Sequence, residues 1–122
     1  MIAVGVIIAG ACGAVARFVV DGAVKRRWPT TFPLATFGIN VTGSLLLGLI
    51  AGSVLYQGVD PGWQAVLGTG FCGGYTTFST AAFETVRLAQ ARKRILAGAY
   101  AVGSLAATVA ACVCGLVIGW AI

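Results

Sequence analysis

The sequence Gly-Phe-Cys-Gly-Gly-Tyr-Thr-Thr-Phe-Ser-Thr occupies residues 70–80, in the middle of an apolar run long enough to cross a membrane. The adjacent glycines Gly73 and Gly74 and the adjacent threonines Thr76 and Thr77 all disfavour a continuous helix. A break in a membrane helix frees backbone carbonyl and amide groups, which persist in a bilayer only where protein surrounds them or where they line a polar cavity. We therefore predict a helix broken near mid-membrane with a functional site at the break; a helix kinked only for packing is the alternative.

The rest of the chain is equally apolar. Of its 122 residues, 59% are hydrophobic and only 9% are charged, whereas soluble domains carry about 25% charged residues. A helical span needs roughly 20 mainly apolar residues. We predict an all-α membrane protein that forms a single domain over residues 1–122, with four transmembrane helices at about residues 2–22, 34–56, 63–88 and 95–120.

Positive charge is confined to one side of these predicted spans. The eight basic residues lie in the first and third linkers or in the adjoining helix ends: Arg17, Lys25, Arg26, Arg27, Arg87, Arg92, Lys93 and Arg94. The positive-inside rule places both linkers in the cytoplasm and both termini outside the cell. The basic clusters lack the interleaved aromatic residues of a nucleic-acid-binding face, so we expect no nucleic-acid partner.

Polar residues recur every four positions in two of the spans. They are Thr36, Asn40 and Ser44 in the second span, and Tyr100, Ser104 and Thr108 in the fourth. Residues four apart share one helix face, so each helix presents a continuous track of hydrogen-bonding groups. Such groups can simply join helices together, but two parallel tracks favour a pathway. Because all are neutral and can donate hydrogen bonds, they suit an anion that must lose its water.

Several function classes are disfavoured by what the sequence lacks. It has no histidine, which excludes imidazole metal ligands and histidine acid–base chemistry. The four cysteines lie in apolar stretches and are predicted to be small packing residues: Cys12, Cys72, Cys112 and Cys114. Without paired carboxylates or a nucleophile beside a base, we do not expect an enzyme.

Three motifs together resemble the signature of the Fluc (CrcB) fluoride channels. They are Gly-Gly-Tyr-Thr-Thr-Phe-Ser-Thr at residues 73–80 followed by Glu84, Gly-Ile-Asn-Val-Thr-Gly-Ser at residues 38–44 preceded by Thr36, and Gly-Ala-Val-Ala-Arg-Phe at residues 13–18. The resemblance covers the whole chain, with four spans and the same order of motifs.

The resemblance implies a prokaryotic, multi-pass plasma-membrane protein that forms an antiparallel dimer with two pores and exports fluoride passively. It also implies a sodium ion (Na+) at the dimer centre, held by backbone carbonyls that would belong to Gly73 and Thr76. Arg17 matches a basic position near the pore entrance. The implied fluoride pathway comprises Thr36, Asn40, Thr77, Phe78, Tyr100 and Ser104.

One position departs from the family pattern. The family has a second phenylalanine three residues after the first, and this chain has Ala81 there. Phe83 is two residues further on and points about 200° around the helix, so it is a poor substitute. An antiparallel homodimer also needs chains that insert both ways, whereas this chain has a strong charge bias. Our hypothesis is a heterodimer with a related chain of opposite orientation; self-association remains the alternative.

Two other functions compete with the channel. A small proton-coupled multidrug-type exporter would need a carboxylate within the membrane, and Glu84, towards one end of the third span, is the only candidate. A membrane subunit that transports nothing would not require two aligned polar tracks.

Overall fold

The computed structural model describes residues 1–122 as helices joined by short turns. The long helices are α1 (Ile2–Arg27), α2 (Leu34–Gln57) and α6 (Arg94–Ala121). Between α2 and α6 lies a divided third segment, which consists of α3 (Pro61–Trp63), a π-helical segment (Gln64–Cys72), α4 (Gly73–Tyr75) and α5 (Phe78–Gln90). The chain is all-α, with four helical passes as the sequence predicted.

Three of the helices, α1, α2 and α6, are each long and apolar enough to cross a membrane without interruption. The third segment reaches a similar length only as a composite of shorter pieces. α1 continues five residues beyond the predicted end of the first span, so Lys25, Arg26 and Arg27 form its last turn rather than a linker. Lysine and arginine favour helix, and their charges suit the negative end of the helix dipole.

The helical conformation stops for two residues in the third segment. Thr76 (φ −80°, ψ 160°) and Thr77 (φ −147°, ψ 124°) are both extended. The next helix, α5, begins at Phe78, and the hydroxyl of Thr77 caps it by accepting a hydrogen bond from the Thr80 amide at 3.2 Å. A threonine N-cap satisfies one of the amides that a helix start leaves unpaired.

Glycines bring α2 and α6 into backbone contact. A Cβ atom added to Gly48 would collide with the carbonyl oxygen of Cys112, and one added to Gly52 would lie 2.6 Å from the carbonyl oxygen of Leu116. Gly115, on α6, faces the backbone of α2 in the same way. Small residues four apart allow this close approach where no hydrophobic effect drives the helices together.

A second close pair joins α1 to the first part of the third segment. A Cβ at Gly13 would collide with the Phe71 carbonyl oxygen, and one at Gly74 with the Gly10 carbonyl oxygen. Glycines therefore lie at both of these close helix contacts. Only 18 of the 122 residues are buried, so most apolar side chains face outwards, where lipid or another chain can cover them.

The turns lie at two ends of the bundle. Residues 28–33 and 91–93 connect helices at one end, beside the basic residues, and we call this the basic end. Residues 58–60 connect α2 to α3 at the opposite end. Here the side-chain amide of Gln57 donates to the carbonyl oxygens of Gly119 (3.2 Å) and Trp120 (2.9 Å), which ties the end of α2 to the end of α6.

Candidate functional site

An open-sided groove of about 830 Å³ runs along one face of the bundle. Its walls come from α2, from α6 and from both sides of the break in the third segment. Asn40 and Ser44 line it from α2, and Tyr100, Ser104 and Thr108 line it from α6. Five of the six residues in the two predicted polar tracks therefore meet in one groove, because α2 and α6 pack side by side with these faces turned the same way.

Thr36 is the exception, since it does not line the groove. Its buried hydroxyl donates a hydrogen bond to the carboxylate of Glu84 on α5. Glu84 lines a separate pocket at the basic end. The pair therefore joins α2 to α5 just outside the groove, in the direction of the basic end.

Asn40 pairs with both backbone polar groups of Thr77 at the break. Its amide nitrogen Nδ2 donates to the Thr77 carbonyl oxygen at 2.9 Å, and its Oδ1 accepts from the Thr77 amide at 2.8 Å. A side-chain amide has two N–H donors, so one N–H of Asn40 remains free to donate. Asn40 therefore stabilises the extended backbone and still offers one donor at the groove wall.

The hydrogen bonds between Asn40 and Thr77 leave backbone carbonyls near the break without their helical donors. In an unbroken helix the Thr77 amide would donate to the carbonyl of Gly73, four residues earlier, but here it donates to Asn40. The Thr76 carbonyl accepts no backbone hydrogen bond. Both Gly73 and Thr76 line the groove. The backbone carbonyls predicted from the resemblance as cation ligands have thus lost their helical donors.

The side chain of Tyr100 is the most deeply placed polar group of the groove. Tyr100 is only 1% exposed, and its hydroxyl is the one buried side-chain polar atom with no hydrogen-bond partner. Its ring packs edge-on against Phe32, with ring centroids 5.4 Å apart and planes at 89°. The ring is thus fixed, and the hydroxyl lies close to Thr36 and Glu84 without making a hydrogen bond of ordinary geometry to either.

Aromatic residues around α5 differ sharply in position. Phe78 lines the groove next to the break and is 88% exposed, so its ring projects beyond this chain. Ala81 lines the groove one turn further along α5, where the family pattern has its second phenylalanine. Phe83 is exposed and does not line the groove, as the rotation argument predicted.

The remaining site residues lie as follows. Thr77 lines the groove and is buried, with its hydroxyl 3.3 Å from that of Ser79. Arg17 lies on α1, is partly buried, and lines neither the groove nor the pocket at the basic end. Its predicted place near a pore entrance stays a prediction.

Sequence reasoning missed two supporting residues near the break. The hydroxyls of Thr42 and Tyr75 are 3.0 Å apart, and the ring of Tyr75 stacks on that of Phe71 with centroids 5.8 Å apart. Tyr75 therefore anchors the last helical turn before the break to α2. Its place in the motif was visible, but its partner Thr42 is 33 residues away, and no local pattern links them.

These features define a polytopic membrane protein with a polar groove built around a broken helix. A family model described as CrcB-like protein, Camphor Resistance (CrcB), matches residues 4–116, and the chain belongs to this family. It is similar to three proteins that are each named a fluoride-specific ion channel, FluC. FluC 1 of Leifsonia xyli subsp. xyli is 50% identical over 119 residues, which cover 98% of this chain and 87% of the relative.

The other two relatives have lower sequence identity over a similar share of the chain. FluC 2 of Cutibacterium acnes is 46% identical over 115 residues, covering 93% of this chain and 94% of the relative. FluC 3 of Bifidobacterium longum is 42% identical over 113 residues, covering 93% of each chain. The match thus includes all helices and both sides of the break.

Proposed function

We propose that this chain is a subunit of a fluoride-selective channel that exports fluoride passively across the plasma membrane. The observation that carries the proposal is the convergence of neutral hydrogen-bond donors from α2, α6 and the break in one groove. The names of the relatives support fluoride as the ion. The membrane potential and the fluoride gradient supply the driving force, and no bond is made or broken.

Fluoride is small and strongly hydrated, so a pathway must replace its water with other donors. The free N–H of Asn40 and the hydroxyls of Ser104, Thr77 and Tyr100 supply them along the groove. The Tyr100 hydroxyl supports this role most directly, because it is buried and makes no hydrogen bond of ordinary geometry to its neighbours Thr36 and Glu84, so it can donate to an anion. Thr36 contributes at the end of the path, where its hydroxyl is shared with Glu84.

The groove is incomplete in one chain, and a second chain closes it. Phe78 projects outwards next to the break, and an aromatic ring edge carries partial positive charge that faces an anion favourably. An antiparallel dimer places each exposed Phe78 against the other subunit's groove and builds two pores. The exposed apolar surface around the groove then becomes an interface.

The partner is a related chain of opposite orientation. The charge bias fixes the basic end of this chain in the cytoplasm and both termini outside, so a second copy in the same orientation does not pair with it. Ala81 leaves one aromatic position of the groove empty, and a partner with both phenylalanines gives one complete pore. The numbered names FluC 1, FluC 2 and FluC 3 fit organisms that hold several such chains.

A sodium ion at the dimer centre fits the residues present. The carbonyls of Gly73 and Thr76 have lost their helical donors, and hard cations bind oxygen ligands. Two carbonyls are too few for such an ion, but the matching pair of an antiparallel partner gives four. At this position Gly73 and Thr76 of each chain would hold the cation, whose charge would join the two breaks and raise the potential beside the pores.

Neither rival function has an observation in its favour. The carboxylate that a proton-coupled exporter would need, Glu84, lies outside the groove and is bonded to Thr36. A subunit with a purely structural role would not need the neutral donors that converge in the groove.

The test is ion efflux from liposomes that contain this chain, alone and together with an oppositely oriented relative. Fluoride is read with a fluoride electrode, and chloride is measured in parallel. Fluoride-selective efflux in either preparation supports the proposal. Inserted, folded protein that releases no fluoride in either preparation, or releases chloride equally fast, overturns it.

A further inference from the structure

A second cavity, separate from the groove, opens at the basic end. Its volume is about 460 Å³, within the range of roughly 300–1,000 Å³ typical of small-molecule sites. Its walls come from the end of α1, the turn that follows it, the start of α2, and the ends of α5 and α6 that meet at residues 91–93. We call it the basic-end pocket. It shares no lining residue with the groove.

Cations outnumber anions around this pocket. Lys25, Arg87 and Lys93 line it, against a single carboxylate, Glu84. That carboxylate already accepts a hydrogen bond from the buried hydroxyl of Thr36. The only ion pair in the chain joins Lys25 to Asp21 at 3.1 Å, so Arg87 and Lys93 have no carboxylate partner. The pocket therefore has positive charge that the protein itself leaves unbalanced.

The apolar lining and a nearby tryptophan indicate at what depth in the membrane the pocket lies. Val24, Leu34 and Leu88 contribute apolar walls, and Trp28 is an exposed wall residue. Tryptophan side chains concentrate at the boundary between bilayer and water. The guanidinium of Arg27 lies 5.6 Å from the centre of the Trp28 ring, so a cation and an interfacial aromatic residue lie together at the edge. This places the pocket at the level of lipid headgroups.

We propose that the basic-end pocket binds the phosphate headgroup of an anionic phospholipid. Arg87 and Lys93 contact the phosphate, the remaining donors of Lys25 assist, and the acyl chains leave along the exposed apolar faces of the helices. Basic pockets between membrane helices are suited to such headgroups. The site uses neither the groove nor the break. It adjoins the proposed fluoride path at one point, because Glu84 lines the pocket and accepts the hydrogen bond of Thr36.

The test counts bound lipid on the purified full-length chain in neutral detergent by native mass spectrometry. Phosphatidylglycerol, phosphatidylcholine and inorganic phosphate are titrated separately. We expect one saturable phosphatidylglycerol per chain and no saturable binding of the other two. The paired substitution Arg87→Gln and Lys93→Gln should weaken this binding roughly thirtyfold, since each cation near a membrane surface contributes roughly fivefold in affinity.

A matched control distinguishes lipid binding in the pocket from non-specific electrostatic attraction to the basic end. Arg26→Gln with Arg94→Gln removes the same charge from residues that are equally exposed but do not line the pocket, and it should weaken binding clearly less than the pocket pair does, because these side chains do not contact the phosphate and their attraction is screened by water and salt. Equal weakening by both pairs overturns the proposal in favour of diffuse charge attraction. Equal binding of phosphatidylcholine overturns it in favour of ordinary lipid solvation, and equal binding of inorganic phosphate in favour of a free-anion site. None of these outcomes depends on fluoride efflux.

Discussion

Asn40 shows how much of this site depends on single side chains. Its amide pairs with both the N–H and the carbonyl of Thr77, which are the two groups that an extended residue in a helical bundle would otherwise leave unpaired. Such groups are costly in a dry environment, about 1–3 kcal/mol each. Asn40 is therefore both a support for the break and a donor on the groove wall.

The substitution Asn40→Asp should abolish fluoride flux. The new carboxylate oxygen faces the Thr77 carbonyl, which then loses its donor, and a negative charge enters a pathway for anions. Fluoride efflux from liposomes is the measurement, on protein whose elution volume matches that of the parent. Undiminished flux from Asn40→Asp removes Asn40 from the pathway.

Ser104→Ala should slow fluoride efflux roughly tenfold or more, because a hydrogen bond to a charged group contributes about 1.5–3 kcal/mol. The matched control is Ser53→Ala. Ser53 lies off the groove and donates to the carbonyl of Leu49 on its own helix at 2.9 Å, so its loss should leave the efflux rate unchanged. Equal rates for the two variants would exclude Ser104 from the path.

The polar tracks could be predicted from sequence because the four-residue spacing fixes the helix face whatever the helix packs against. The partner of Thr36 could not. Thr36 belongs to its track by spacing, yet it bonds to Glu84, which is 48 residues away. That contact depends on how α5 leans against α2 after the break, and local periodicity carries no information on this angle.

At the scale of the elements, the third segment combines an interruption that the sequence predicted with a π-helical stretch that it did not. Glycines and threonines at residues 73–77 predicted an interruption, and the backbone is extended at Thr76 and Thr77. The π-helical segment Gln64–Cys72 was not predicted. In a π-helix each backbone hydrogen bond spans five residues, one more than in an α-helix, and such segments often occur at functional sites. The residues of this segment have the composition of an ordinary apolar helix, so the sequence does not reveal it.

Helix contacts through glycine give a stability prediction. Gly48→Ala should lower the melting temperature measured in detergent, since the new Cβ would collide with the Cys112 backbone on α6, and overpacking costs about 1–3 kcal/mol. At Gly98 an added Cβ meets nothing within 4 Å, so Gly98→Ala should leave the melting temperature unchanged or raise it. Equal melting temperatures for both variants would mean that α2 and α6 are not packed backbone to backbone.

On the scale of the whole molecule, the charge pattern and the open groove lead to the same requirement. All eight basic residues belong to one side of the predicted topology, and the groove is open along one face. The sequence could predict both the bias and the missing aromatic at Ala81, because each is a property of one chain. It could not identify the chain that covers the groove, because those contacts depend on residues of a second molecule.

A single orientation is expected in cells. Fusions of alkaline phosphatase and of green fluorescent protein to Ile122 should give active phosphatase and dark fluorescent protein, since both termini lie outside. Replacing Lys25, Arg26, Arg27, Arg92, Lys93 and Arg94 with glutamine should give both signals, because only Arg17 and Arg87 of the eight basic residues then remain to bias the orientation. Both signals from the unaltered chain would contradict the heterodimer.

The most direct test pairs this chain with an inverted version of itself. The inverted version carries glutamine at those six basic positions, lysine at the exposed residues Tyr56, Val59 and Ile122 at the opposite end, and Ala81→Phe. Each chain is produced in cells alone or together with the other, so that its orientation is set at insertion, and fluoride and chloride efflux are measured from vesicles made from those membranes. We predict fast, fluoride-selective efflux from the mixture and little from either chain alone. A mixture that forms dimers yet releases no fluoride, or releases chloride as quickly, would contradict the assignment of this chain to a fluoride channel.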